Sequence, residues 1–116
     1  MAGLAEIVRR FAAHEGVSGA VVVSPDGLPI DHAGTVPDPD ALAALTVTLL
    51  RPSVRLGEHA GAGQLFRSVL EFEAGYAMLT AVRGGHWLLV LARPDADVGA
   101  LLFDLRRDGP ALASLF

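Results

Sequence analysis

Ala41-Leu42-Ala43-Ala44-Leu45-Thr46-Val47-Thr48-Leu49-Leu50-Arg51-Pro52-Ser53-Val54-Arg55-Leu56-Gly57-Glu58-His59-Ala60-Gly61 is the stretch on which the fold turns. At about 100° per residue, Leu42, Leu45, Leu49 and Leu56 fall on one stripe of a helix, and Ala43, Val47, Leu50 and Val54 fall on a neighbouring one. Thr48, Arg51, Arg55, Glu58 and His59 form the wet face. A surface helix hides one apolar stripe and shows water the rest. Two stripes need two coverings: the chain's own sheet under one and a second chain over the other, or a helix sandwiched wholly within its own domain. Pro52 lies inside the pattern, where it removes a backbone hydrogen bond and crowds the preceding turn. The expectation is a kink near Thr48 to Arg51, the alternative a break into two helices. Pro37 and Pro39 precede the helix, with Asp38 or Asp40 placed to cap it, and Gly57, Gly61 and Gly63 stop it.

Upstream, Leu4, Ile7, Val8, Phe11 and Ala12 recur at helical spacing, and Gly16 ends that helix. Val17 to Ser24 is almost continuously apolar, as in a central strand covered on both faces. Ser24-Pro25-Asp26-Gly27 is a turn, with Pro fixing one φ and Gly free to take a positive one, and Leu28 to Ala33 completes a hairpin. Downstream, Phe66, Ser68, Leu70 and Phe72 alternate with Arg67, Val69, Glu71 and Glu73, which reads as a strand with one buried and one charged face. Tight turns at Ala74-Gly75 and Arg83-Gly84-Gly85 lead into Tyr76 to Val82 and His86 to Ala92, an antiparallel meander. A last helix after Pro94 and Asp95 has the core stripe Val98, Leu101, Leu102 and Leu105, with Asp97 near its positive end. Asp108-Gly109-Pro110 is expected to interrupt it, leaving an apolar tail, Ala111 to Phe116, whose Leu112, Leu115 and Phe116 need cover.

The 116 residues suit a single domain, 1–116, with no repeat and no dividing linker. A hydrophobic share of 52% leaves little polar residue to wet a monomer, which favours an oligomer. No apolar run reaches the roughly 18 residues of a membrane span, and the N-terminal helix carries Glu6, Arg9, Arg10 and His14, unlike a secretory signal. The expected location is the cytoplasm, with no membrane insertion.

Cysteine is absent, which excludes disulfides and thiolate sites. Lysine is absent too, which excludes a Schiff base and the lysine-bearing phosphate loop. The nine positive charges are scattered arginines and the formal charge is −4, so no stripe tracks a nucleic-acid backbone.

Gly16 to Ala20 comes within one residue of a nucleophile elbow around Ser18, but it leads from helix to strand, the reverse of the required context. Glu71 and Glu73 share a strand face as an acid–base pair would, yet charges guarding an edge strand explain them better. His14, His32, His59 and His86 lack the short spacings of a metal site. Trp87 and Tyr76 read as sheet packing. No catalytic residue, cofactor or metal site is expected, and function has to lie in surfaces.

The element order, together with Gly16-Val17-Ser18-Gly19-Ala20-Val21-Val22-Val23-Ser24-Pro25-Asp26-Gly27 and Ala92-Arg93-Pro94-Asp95-Ala96-Asp97-Val98-Gly99, resembles the roadblock/LC7 family over nearly the whole chain. The resemblance implies an α+β fold of profilin-like architecture, a five-stranded antiparallel sheet in the order 2-1-5-4-3. The long helix would lie on one face and the other two helices on the opposite face.

It also implies homodimers in which the long helices pair and the third strands add edge to edge. The dimer contacts would then fall on Ala43, Val47, Leu50 and Val54 and on the strand residues Arg67, Val69, Glu71 and Glu73. An antiparallel arrangement about Val69 would set Arg67 of one chain against Glu71 of the other.

Members act with small Ras-like GTPases as regulators or scaffolds, and bacterial ones look like a gliding-motility polarity regulator that stimulates its cognate GTPase. That role would fall to the face bearing Arg51, Arg55, Glu58 and His59, where either arginine could act as a finger toward a bound nucleotide or be a solvated helix face. Pro52 departs from the family's long helix, and the short C-terminus has no long extension for a second binding element. The rival readings are a profilin-like or PAS-like small-molecule sensor, which needs a pocket with convergent polar groups, and a purely structural dimeric scaffold.

Overall fold

Val17 to Val23 carries almost no polar side chain, and it becomes the sheet's inner strand with apolar helices on both faces. In the computed structural model, which describes residues 3–114, the elements are α1 (Leu4–Ala12), β1 (Val17–Val23), β2 (Pro29–Gly34), α2 (Pro39–His59), β3 (Arg67–Phe72), β4 (Gly75–Ala81), β5 (Trp87–Ala92) and α3 (Val98–Ala113). The strands form one antiparallel sheet in the order β2-β1-β5-β4-β3. This is the architecture the resemblance implied.

Alternation along the inner strands sorts two cores. Ala20, Val22, Met78, Leu88 and Val90 point to the face covered by Ile7, Val8 and Phe11 of α1 and Leu101 and Leu105 of α3. Val21, Val23, Leu79 and Leu89 point to the other face, under Ala43 and Leu50 of α2.

Local chemistry sets the joints. The Ser24–Gly27 turn closes with a 3.0 Å bond from the Gly27 N–H to the Ser24 carbonyl, and Gly27 has φ +82°. Gly34 sits at φ +76° opposite Gly19, where a Cβ would strike the Ser18 carbonyl; only glycine allows that approach. Asp38 caps α2, its carboxylate accepting from the Ala41 N–H at 3.3 Å, and Pro39 follows in the first turn. Asp97 caps α3 in the same way through the Ala100 N–H at 3.0 Å.

Pro52 does not break α2, which is one helix from Pro39 to His59. The expected interruption at Asp108-Gly109-Pro110 does not occur either, since α3 runs on to Ala113. A proline there withholds one ladder donor, and the carbonyl it leaves belongs to the exposed Arg106, within reach of water. Of the expected apolar tail, the Leu112 side chain, Leu115 and Phe116 lie outside the described residues.

Candidate functional site

The core side of α2 is Ala43, Thr46 and Leu50, all buried. Thr46 can sit there because its hydroxyl donates to the Leu42 carbonyl one turn back, at 2.8 Å, so no unpaired polar group enters the core. Ala43 and Leu50 are thus spent on the chain's own sheet. In the single chain Ala43 is fully buried and Leu50 nearly so, bordering a hollow beside Val54, so within the expected dimer stripe these two offer the least open surface. Val47 packs partly against the same core, and of that stripe only Val54 is substantially exposed.

The other stripe is the free one. Leu45 is 62% exposed and Leu56 71%, with Leu49 also open and Leu42 half-buried. With the exposed Pro52, the series 42, 45, 49, 52, 56 repeats at three and four residues, the spacing of a helix-pairing seam.

Beside this seam lies β3, the last strand of the sheet. Its Ser68 and Leu70 pair with Leu79 and Ala77 of β4, so Phe66, Ser68, Leu70 and Phe72 share the α2 side of the sheet. That face was expected to be buried. Instead Phe66 is 62% exposed and Phe72 59%, because α2 covers the sheet only as far as β4's residues and stops short of the edge. Leu42, Leu45 and Leu49 on one bank and Leu70 and Phe72 on the other enclose an open groove of about 590 Å³, floored by Ala77, Leu79, Leu89 and Leu91. Its polar lining is Thr46 and Thr48, whose hydroxyls already donate to the Leu42 and Ala44 carbonyls. Little is left to orient a small polar ligand, so the groove suits apolar side chains.

On the opposite face of β3, Arg67, Val69 and Glu71 lie toward the α1/α3 side. Glu71 accepts a hydrogen bond from the Tyr76 hydroxyl at 3.1 Å, and that bond, then the carboxylate's charge, raises the phenol above its ordinary value of 10.0. Arg67 Nε is buried without a hydrogen-bond partner among the described residues. Glu73 lies beyond the strand's end, exposed in the β3–β4 turn.

The candidate GTPase-contact residues are all exposed on α2. Arg51 and Arg55 border one hollow of about 560 Å³ with Val54, Pro25 and Trp87. Glu58 borders another, with Leu65 and Phe66. His59 Nδ1 lies 2.9 Å from the Arg55 carbonyl. Ser18 donates its hydroxyl to the Leu91 carbonyl at 3.2 Å, a sheet contact rather than a poised nucleophile. His14 lies between the Arg10 carbonyl, 2.9 Å from Nδ1, and Asp104, 3.2 Å from Nε2. Among the described residues no group of three or more His, Asp or Glu is arranged to hold a metal ion, and no helix is long and apolar enough to cross a membrane.

Sequence reasoning read two apolar stripes on α2 but gave the Ala43 stripe, not the exposed leucine stripe, to a second chain, and it missed the role of Thr46 and the exposure of Phe66 and Phe72. The 43, 46, 50 spacing was the available signal for the first.

A family model described as Roadblock/LC7 domain matches residues 4–92. No curated protein matches the chain. Among solved structures, a Roadblock/LC7 domain from Streptomyces avermitilis superimposes with a TM-score of 0.87 at 23% identity, covering 97% of each chain. MglB from Myxococcus xanthus gives 0.88 at 18% identity, over 97% of this chain and 93% of that one. The gliding protein MglB from Thermus thermophilus gives 0.86 at 18%, over 99% and 93%. At these identities the likeness establishes the fold.

Proposed function

The chain belongs to the Roadblock/LC7 domain family, and from that premise we propose that it is a homodimeric regulator or scaffold, without chemistry of its own, that binds a small Ras-like GTPase in the cytoplasm. The observation that carries the reading is the contiguous apolar surface made by the exposed seam of α2 and the open face of β3. Apolar area removed from water contributes about 25 cal/mol per Å², and a monomer gains nothing from leaving Leu45, Leu56, Phe66 and Phe72 wet.

A second copy fits this surface because its own seam has the same spacing and its own β3 has the same free edge. Two α2 helices laid side by side over the joined edges would fill both grooves. Arg51, Arg55, Glu58 and His59 would then face outward from both helices as one polar platform for the GTPase. Of the two readings for Arg51 and Arg55, the platform needs only that they bind; it works by repositioning the GTPase's own residues.

Sedimentation equilibrium tests the first half of this reading. A monomer at tens of micromolar would end it. The second half is tested by using the dimer as bait in lysate of its own cells, with excess GDP in one sample and a non-hydrolysable GTP analogue in the other. Recovery of a small GTPase in the analogue sample alone supports an effector or activator; recovery in neither removes the GTPase from the proposal.

A further inference from the structure

The flank of α2 away from the leucine seam holds a second concavity, complete within one chain. Around the helix, Val47, Arg51 and Val54 stand roughly 180–240° from Leu45, so they face the other way from the seam. The hollow there, of about 560 Å³, has three walls. Val47, Arg51, Val54 and Arg55 of α2 form one, above the buried Leu50. Pro25 in the β1–β2 turn forms the second, and Gly85 and Trp87, where the chain enters β5, form the third.

Backbone contacts hold these walls in place. The Val82 N–H donates to the His86 carbonyl at 2.9 Å across the Arg83–Gly85 turn, and Trp87 pairs with Val23 at the end of β1. Gly85 packs so near Pro25 that a Cβ there would lie 3.3 Å from the ring. The shape of the hollow is therefore set by the fold.

Its chemistry is one-sided. Among the described residues no Asp or Glu lines it, in a chain whose formal charge is −4. Arg51 and Arg55, one turn apart, have no ion-pair partner among the described residues, whereas Arg93 and Arg107 each have one. Glu58, the next acid along α2, borders a different hollow. The rest of the lining is aliphatic, proline and indole. Small-molecule sites of roughly 300–1,000 Å³ combine a mostly apolar lining with a few polar groups that fix orientation. The leucine groove lacks such groups, because its threonine hydroxyls are bonded within the helix. This hollow has two of them, both cationic.

We propose that the hollow binds a small organic acid, its carboxylate between Arg51 and Arg55 and its apolar body against Val54, Pro25 and Trp87. Guanidinium donors suit a carboxylate in geometry as well as charge, and the indole offers an apolar face for a ring or short acyl chain. The site is whole in one chain, so it depends neither on the homodimer nor on a GTPase.

Trp87 is the single tryptophan of the chain, so its fluorescence reports on this hollow directly. The full chain is titrated with octanoate below its micelle concentration, with octanol and with inorganic phosphate, and calorimetry provides the constant independently. Octanoate should bind saturably, and octanol and phosphate, each supplying half of the contact, should bind at least about tenfold more weakly. Arg51→Gln and Arg55→Gln should each weaken octanoate about fivefold or more. Both side chains are exposed, so these variants should melt with the parent. Val54→Asp, which sets a carboxylate in the hollow, should abolish binding, and Arg93→Gln, at the far end of β5, should leave it unchanged. Octanol binding as tightly as octanoate, or glutamine variants that bind as the parent does, overturns the acid site. So does the lack of saturable octanoate binding by either readout up to about 10 mM, a range that covers weak small-molecule affinities.

Discussion

Leu45 offers the sharpest test of which stripe of α2 faces a partner. Its side chain is 62% exposed, and it lines the groove opposite Phe72. Complete burial of a leucine side chain contributes about 2 kcal/mol, so covering its open part contributes roughly 1.2 kcal/mol, of which alanine would retain only a small share. The symmetric dimer loses this twice, about 2 kcal/mol for Leu45→Ala, or roughly 30-fold in the dissociation constant. Leu45→Glu adds the cost of drying a carboxylate and should leave a monomer at micromolar concentration. Because Leu45 is open in the single chain, either change should alter unfolding of the monomer by no more than about 0.5 kcal/mol. Sedimentation equilibrium gives the dissociation constant, and urea denaturation of the monomer gives the control. Leu50→Ala should behave in the opposite way, costing about 2–5 kcal/mol of fold stability wherever the dimer forms, because Leu50 is core. A tight Leu45→Glu dimer together with a dissociated Val54→Glu protein would refute this assignment of the stripes.

Gly34→Ala should lower stability by more than about 1 kcal/mol in urea melts, since the left-handed backbone and the clash with the Ser18 carbonyl both oppose a Cβ. Pro52→Ala should raise the melting temperature, restoring an N–H to the Thr48 carbonyl and removing a penalty of up to about 3 kcal/mol; no rise would mean that α2 is already bent to relieve it. With a cognate GTPase, Arg51→Ala and Arg55→Ala should weaken binding several-fold while leaving hydrolysis in the saturated complex unchanged. A fall in that rate of about a thousand-fold or more at equal binding would instead mark an arginine finger.

The fold was legible because periodicity fixes which residues share a face. The continuous run at Val17 to Val23, the charged alternation of Phe66 to Glu73 and the glycine and proline turns each restrict the chain to one conformation, and the sheet order followed from the resemblance. Which face is covered was less legible. Thr46 reads as polar in sequence, yet in a helix its hydroxyl can turn back to the Leu42 carbonyl and present a methyl to the core. Once Thr46 is admitted inside, Ala43 and Leu50 become its neighbours on the buried side and the leucine stripe turns outward. Alternation likewise told that Phe66 and Phe72 share a side of β3, but cover depends on how far α2 reaches across the sheet, a tertiary fact with no local signature. In α3, Gly109 and Pro110 are strong breakers locally, yet the helix continues past them to Ala113.

Half of the large exposed apolar residues gather near one edge of the sheet, where an unpaired strand invites any other strand to join. Leu45, Leu49 and Phe72 line the groove, Phe66 shares their side of β3 and Val69 lies on the strand's other face; Leu28, Ile30 and Phe103 are exposed elsewhere. A chain with 52% hydrophobic residues cannot dilute such an edge with polar surface. Lysine, the common guard of edge strands, is absent, and β3 instead carries one positive and one negative charge two residues either side of Val69. A single sign of charge would repel every copy of the chain. Opposite signs set two residues either side of Val69 would repel a second strand that met this edge at Arg67 or Glu71 with the same residue, so the two charges make the edge selective as well as guarded.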